Sequence, residues 1–299
     1  RSKVELVANP DYRGFVWNFK STGTPWDNQL VKEMSGKKMP QVGKVVVSII
    51  EEEQSRWLAF QSGQLDFDKL TANAVPQALD GNQLKASFKK RGIKHYPNKD
   101  PEITYTMMNM RDPVIGGFSP EKIALRRAIT LSYNQKESIQ QAYKSQAVRS
   151  QMFIPEGVNG YNPKYKSSVG YNPLLANKLL DHYGYKKGAD GYRTLPNGKP
   201  LILKINTENS SASVIHSELW KKNLDAIGIR ADFKVSNFAD NLKAATQCKY
   251  MIWSGAWIAD YPEGDNFAQL LYGPNAGQGN HACYQSKTYD ALYTQAIHL

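Results

Sequence analysis

No run of this sequence approaches the ~20 consecutive apolar residues that a membrane-crossing helix needs, and the opening Arg1-Ser2-Lys3-Val4-Glu5 lacks a secretory hydrophobic core. A transmembrane helix is excluded, and any export signal is expected to have been removed. The chain starts without Met and stops at His298-Leu299 just after a helical pattern, so it reads as a fragment. Cysteine is nearly missing. Cys248 and Cys283 are the only two, which allows either one bridge in an oxidising compartment or two inert core thiols. Of the histidines, only His281 lies near a cysteine, and that pair lacks the further ligands of a structural metal site, so no metal is expected. Nucleophile-elbow, P-loop and dinucleotide patterns are all absent, and the Gly273 to Gly279 stretch lacks their spacing. Neither a cofactor nor an enzymatic activity is expected.

Acidic residues are outnumbered, 27 against 38 Lys plus Arg, giving a net charge of +11. Such a balance raises a nucleic-acid or acidic-membrane partner. The cations are scattered, however. The densest run is Lys89-Lys90-Arg91, and Lys37-Lys38, Arg126-Arg127, Lys186-Lys187 and Lys221-Lys222 are isolated pairs. No nucleic-acid-binding signature accompanies them, so they read as solvated faces.

What is present alternates between strand and helix patterns. Val45 to Ile50 is a β-branched run expected to form a buried strand, Glu51 to Gln61 a helix ended by Gly63, and Leu65-Asp66-Phe67 a further strand. Ile103 to Met110 reads as a strand closed by Asp112-Pro113 and Gly116-Gly117, and a lobe boundary is placed here. Ser119-Pro120 opens a helix expected to bury Ile123, Leu125, Ala128 and Ile129, and Asn134 with Glu137 starts a second. Asn172-Pro173 begins another, with Leu175, Leu179 and Leu180 on its buried side and Gly184 at its end. Leu201, Leu203 and Ile205 alternate as a strand does, a helix follows to Gly228, and Ile229 to Val235 alternates again. Tyr250 to Trp253 gives one more strand. Strands separated by helices imply a mainly parallel or mixed sheet.

The richest local constellation is Trp253-Ser254-Gly255-Ala256-Trp257-Ile258-Ala259-Asp260-Tyr261-Pro262-Glu263-Gly264-Asp265-Asn266-Phe267. A strand end opening into an aromatic-rich loop is where open α/β sheets form ligand crevices. An acid there can pair with a ligand ammonium while indole faces cover its apolar part. The residues alone equally allow Trp253 and Trp257 to be core and Asp260 to cap a turn. Both readings stand at this point, as does a hydrolase or transferase using Asp260 or Glu263 as acid or base. The Glu51-Glu52-Glu53 run reads as a charged helix start.

Several segments, in order, resemble a known family. Asn9-Pro10-Asp11-Tyr12, Trp57-Leu58-Ala59-Phe60-Gln61-Ser62-Gly63-Gln64-Leu65-Asp66, Arg126-Arg127-Ala128-Ile129 with Tyr133-Asn134-Gln135-Lys136, and Ile154-Pro155-Glu156-Gly157 are similar to motifs of the ABC-importer solute-binding proteins for peptides, nickel complexes and related solutes. The most specific match is Trp257-Ile258-Ala259-Asp260-Tyr261, where peptide-binding relatives place an acid on the ligand's α-amino group. The resemblance implies an α/β, two-lobed, periplasmic-binding-protein-like fold with most of one lobe absent. Residues 1–105 would be the remainder of the first lobe and 106–299 the second, carrying the ligand loop. It further implies a monomeric extracytoplasmic receptor whose lobes close around a peptide or similar solute and signal to a membrane permease. Asp260 becomes the leading ligand residue, with Trp257 and Tyr261 as cleft-lining neighbours and Trp253 after them. No basic partner for a peptide carboxylate is found between Asn206 and Ser213.

Overall fold

Capped helices and β-branched strands alternate along a chain that divides into two compact units, Arg1–Gln77 and Ala78–Leu299. The structure is a computed structural model and describes residues 2–298, the side chain of Ser211 excepted.

In the first unit, β1 (Lys3–Val7) pairs antiparallel with β4 (Lys44–Ser48), and β2 (Phe15–Val16) pairs with β3 (Lys38–Met39). Helix α1 (Pro25–Met34) starts on a Thr24 cap that accepts the Asp27 N–H, and α2 (Glu53–Gln61) on a Glu52 cap that accepts the Ser55 N–H. Gly63, at a φ of +79°, ends α2 as expected. Two expectations are corrected. The strand expected at Val45 to Ile50 forms over Lys44–Ser48 but is not buried: among the described residues its sheet has two strands, and every residue of β4 is exposed. Leu65-Asp66-Phe67 forms no strand; it lacks a pairing partner among the described residues, and Phe67 is 81% exposed.

Helix α3 (Val75–Ala78) spans the division, followed by the hairpin β5 (Leu79–Asp80) and β6 (Gln83–Leu84) and the short α4 (Ala86–Lys90). The body of the second unit is a four-stranded sheet built from β7 (Glu102–Met108), β8 (Ile202–Glu208), β9 (Arg230–Ser236) and β10 (Ile252–Ile258), in the order β7-β10-β8-β9. Strand β10 runs antiparallel to β7 and parallel to β8, and β8 is parallel to β9, the mixed sheet that the crossover helices imply. Those helices are α5 (Pro120–Ser132), α6 (Gln135–Gln141), α7 (Pro173–His182), α8 (Ser211–Asp225) and α9 (Phe238–Thr246), with α10 (Asp265–Ala268) and α11 (Lys287–Ala296) closing the chain. The boundary read near residue 105 falls inside β7, a strand whose ladder belongs wholly to the second unit.

The main core packs Leu125, Ala128 and Ile129 of α5, Ala176 and Leu180 of α7 and Leu224 of α8 against Leu203, Ile205 and Ile252 of the sheet. Ile123 and Leu175, expected inside, are exposed. Only the first position of each stripe differs, where Ala124 and Ala176, one residue further on, take the buried places and allow close helix approach. Cys248 and Cys283 are joined, which resolves the choice the sequence left open.

Candidate functional site

Strand β10 decides where the loop after it goes. Along its length it pairs with β7, from Ile252 opposite Met108 to Ile258 opposite Glu102. On its other side only Ile252 meets β8, opposite Ile205, so the strand runs on past β8 with no ladder partner on that edge among the described residues. Alternation then sorts its side chains. Ser254, Ala256 and Ile258 form an exposed face, where the Ser254 and Thr106 hydroxyls share a hydrogen bond of 3.1 Å. Trp253, Gly255 and Trp257 turn to the packed face with Met107, Tyr105 and Ile103 of β7.

The two indoles differ in their surroundings. Trp253 is 3% exposed, packs with Met107, Ala245 and Tyr250, and its Nε1–H donates to Glu208 Oε1 at 2.8 Å. Trp257 is half-buried against Ile103, Val158, Phe267 and Leu270, and its Nε1–H donates to Asn266 Oδ1 at 2.9 Å. Tyr105 lies between the two groups, and burial pushes its hydroxyl up to about 12.

Asp260 follows two residues after the strand and is exposed. Its backbone N–H donates to Asn266 Oδ1 at 3.2 Å, and Asn266 Nδ2 donates back to Asp260 Oδ2, also at 3.2 Å. Oδ1 of Asp260 accepts no hydrogen bond among the described residues. Tyr261 is 43% exposed, and its hydroxyl donates to Asp265 Oδ2 at 2.7 Å; that carboxylate holds the phenol above its ordinary range.

A second segment fixes the loop from behind. The Asn159 N–H donates to the Pro262 carbonyl at 2.8 Å and Asn159 Nδ2 to Glu263 Oε1 at 2.6 Å. The approach is so close at Gly264 that an added Cβ would stand 2.9 Å from the Asn159 carbonyl oxygen. Glycine is required there by space. Glu263, an alternative acid/base candidate, is thus engaged in closing the loop.

The structure therefore brings Asp260, Trp257 and Tyr261 together around Asn266, and sets Trp253 apart in its own cluster. Reasoning from sequence missed Asn266, Asn159 and Glu208. Asparagine two residues into a short helix carries no signal of its own, although its place in the Trp253 to Phe267 segment was visible. A separate groove of 310 Å³ is lined by Glu208, Val214, Phe233 and Val235 among others; none of the four expected residues lines it. No cluster of three or more metal-ligating side chains occurs among the described residues.

Comparison with known proteins gives a consistent picture. Heme-binding protein A of Haemophilus influenzae is 23% identical over 257 residues, covering 86% of this chain and 43% of the relative. The oligopeptide-binding protein OppA of Bacillus subtilis is 20% identical, covering 98% of this chain and 50% of the relative. The chain spans about half the length of the curated relatives it matches. Among solved structures, the periplasmic binding protein DppA of Helicobacter pylori in complex with the peptide STSA superposes with a TM-score of 0.71 at 21% identity, over 100% of this chain and 49% of that one; this is a likeness of fold. Residues 1–279 match the family described as bacterial extracellular solute-binding proteins, family 5 Middle, and the chain belongs to that family.

Proposed function

We propose that this chain is part of an extracytoplasmic receptor that captures a peptide or peptide-like solute, leaves it unchanged, and delivers it to the permease of an ABC importer. The observation that carries this reading is Asp260. Its carboxylate is exposed at the end of β10, with one oxygen held by Asn266 and the other open. An ammonium group is the natural partner for such an oxygen, and a charge-assisted hydrogen bond is worth about 1.5–3 kcal/mol. Support for an extended ligand comes from β10 itself. Alternate N–H and C=O groups of a strand point away from a single antiparallel partner, and beyond Ile252 no ladder partner takes that edge among the described residues, so a peptide main chain can pair along it with its amino end at Asp260. Trp257 and Tyr261 flank the ammonium position, while Trp253, bonded to Glu208 in its own cluster, takes no part in it. The relatives' names span heme and oligopeptides; an acid as the open group favours the amine-bearing class.

The test is selectivity. Asp260→Asn should weaken a free-amine peptide roughly 10- to 100-fold, from the loss of one charge-assisted bond, and leave the N-acetylated form of the same peptide within a few-fold. Equal losses for both would remove Asp260 from this role. Native mass spectrometry of the protein from its own host should show an unaltered solute; release of a converted product would favour Asp260 or Glu263 as a catalytic acid or base.

A further inference from the structure

Asn266 is the most heavily used polar side chain near the loop. It is fully buried, at 0% exposure, in an otherwise apolar setting with Phe267 and Leu270 beside it. A buried amide must be satisfied, and this one is satisfied by the functional loop rather than by its own helix. Oδ1 accepts from Trp257 Nε1 and from the Asp260 N–H, and Nδ2 donates to Asp260 Oδ2. The Asp260 contacts are reciprocal. One amide grips both the backbone and the carboxylate of the same residue, so the carboxylate cannot rotate without breaking a bond to a buried partner. The same oxygen that receives the Asp260 N–H also sets the indole plane of Trp257.

We infer that Asn266 is the positioning residue of the site: it fixes the Asp260 carboxylate with Oδ2 turned inward and Oδ1 outward, and so makes the site selective for a single terminal ammonium. This rests on the reading of Asp260 given above. Asn266 touches no ligand itself and acts through Asp260 and Trp257. With its amide removed, Asp260 keeps its charge but not its direction, and a freely rotating carboxylate pays an ordering cost on each binding event that the held one has already met. The indole also loses its anchor. Affinity for an N-acetylated ligand would fall modestly, whereas affinity for the free amine, and with it the discrimination, would fall sharply.

The experiment measures the ratio of affinities for a tripeptide mixture with free amino termini and the same mixture N-acetylated, in the full protein and in Asn266→Leu, Asn266→Ala and Asp260→Asn. Leucine keeps the branching and side-chain heavy-atom count of asparagine at a larger volume, and alanine relieves any clash, so a variant that fails to fold leaves the other to decide. The ratio is expected to fall about tenfold or more in the Asn266 variants, while binding of the acetylated mixture changes by less than threefold. A simple packing role would lower both affinities together and leave the ratio within twofold of the parent, which would overturn the inference while Asp260→Asn still abolishes discrimination. If Asp260→Asn leaves the ratio unchanged, the ammonium-binding reading fails and the positioning role falls with it.

Discussion

Arg193 offers the sharpest test of what holds the second unit together. Arg193 is 2% exposed, and all three nitrogens of its guanidinium fork are engaged. Nε–H donates to the Ile227 carbonyl at 2.8 Å, one terminal nitrogen to Asp181 Oδ1 at 2.6 Å and to the Tyr185 carbonyl, and the other to Asn177 Oδ1 at 2.8 Å. These partners come from α7, the turn after it and the turn that follows α8. Arg193→Met fills similar space but leaves the Ile227 and Tyr185 carbonyls without that donor, at about 1–3 kcal/mol each, partly offset because a buried cation no longer needs desolvation. A net loss of about 2–4 kcal/mol is expected. Arg193→Lys keeps the charge but replaces a planar fork by one ammonium that cannot reach all four acceptors, so its loss should be about 3–5 kcal/mol, as for a buried pair left incomplete. Asp181 is 65% exposed at its side chain, so Asp181→Asn should cost less than about 1 kcal/mol. Urea unfolding followed by tryptophan fluorescence reads these values, with an unchanged m-value required for the comparison. A lysine variant within 1 kcal/mol of the parent would refute the claim that fork geometry, rather than charge, carries this junction.

Two other expectations concern the disulfide and acid. The bridge between Cys248 and Cys283 closes a loop across a sequence separation of 35, worth about 4 kcal/mol in restricted unfolded-chain entropy; reduction should lower the melting temperature by on the order of 10 °C, and a reduced protein melting within 2 °C of the oxidised one would contradict it. Burial holds the His216 imidazole, beside Tyr133 and Tyr143, below its ordinary value of 6.5. Above that value both folded and unfolded chains are neutral at this site and nothing is lost. Below it the unfolded chain binds a proton that the folded site resists, so stability declines as pH falls from 6.5 toward the folded pKa. His216→Gln should flatten the stability profile between pH 6.5 and 5; an unchanged slope would show that the histidine is not the cause. His281, likewise lowered by burial, leaves a residual slope of the same sign.

Local signals reached the structure wherever the deciding contact lies within a few residues. Asn134 and Asn172 cap their helices by accepting the N–H three residues on, and Gly63, Gly184 and Gly228 end theirs at positive φ, because caps and left-handed turns are settled by chemistry inside one turn. What was not legible depends on distant partners. Whether Val45 to Ser48 is buried depends on how many strands join its sheet, and a β-branched run is silent on that. Leu65-Asp66-Phe67 has strand-like composition but finds no partner. The order β7-β10-β8-β9 joins Met108 to Ile252 and Ile252 to Ile205, across separations that no periodicity encodes. Cys248 and Cys283 were visible as two thiols, and only proximity makes them a bridge.

The site shows the same division in miniature. The segment around Asp260 was conspicuous because tryptophans, small residues and acids rarely gather at a strand end, yet composition left core and ligand-binding roles equally open. Register sorts the side chains between the two faces. With β10 paired along its whole length to β7 but to β8 only at Ile252, the alternation of the strand sends Trp253 and Trp257 inward, and the chain continues beyond its pairing with β8 before Asp260 emerges. Crevices in open sheets lie outside the carboxyl ends of strands, and the overrun of β10 puts an acid at such an end. The net charge of +11 acts against a cationic ligand at long range, but it is screened beyond about 8 Å at physiological salt. On the proposed reading, selectivity for an amine then comes from geometry at contact distance, which is the property we infer for one buried asparagine holding one carboxylate oxygen and leaving the other open.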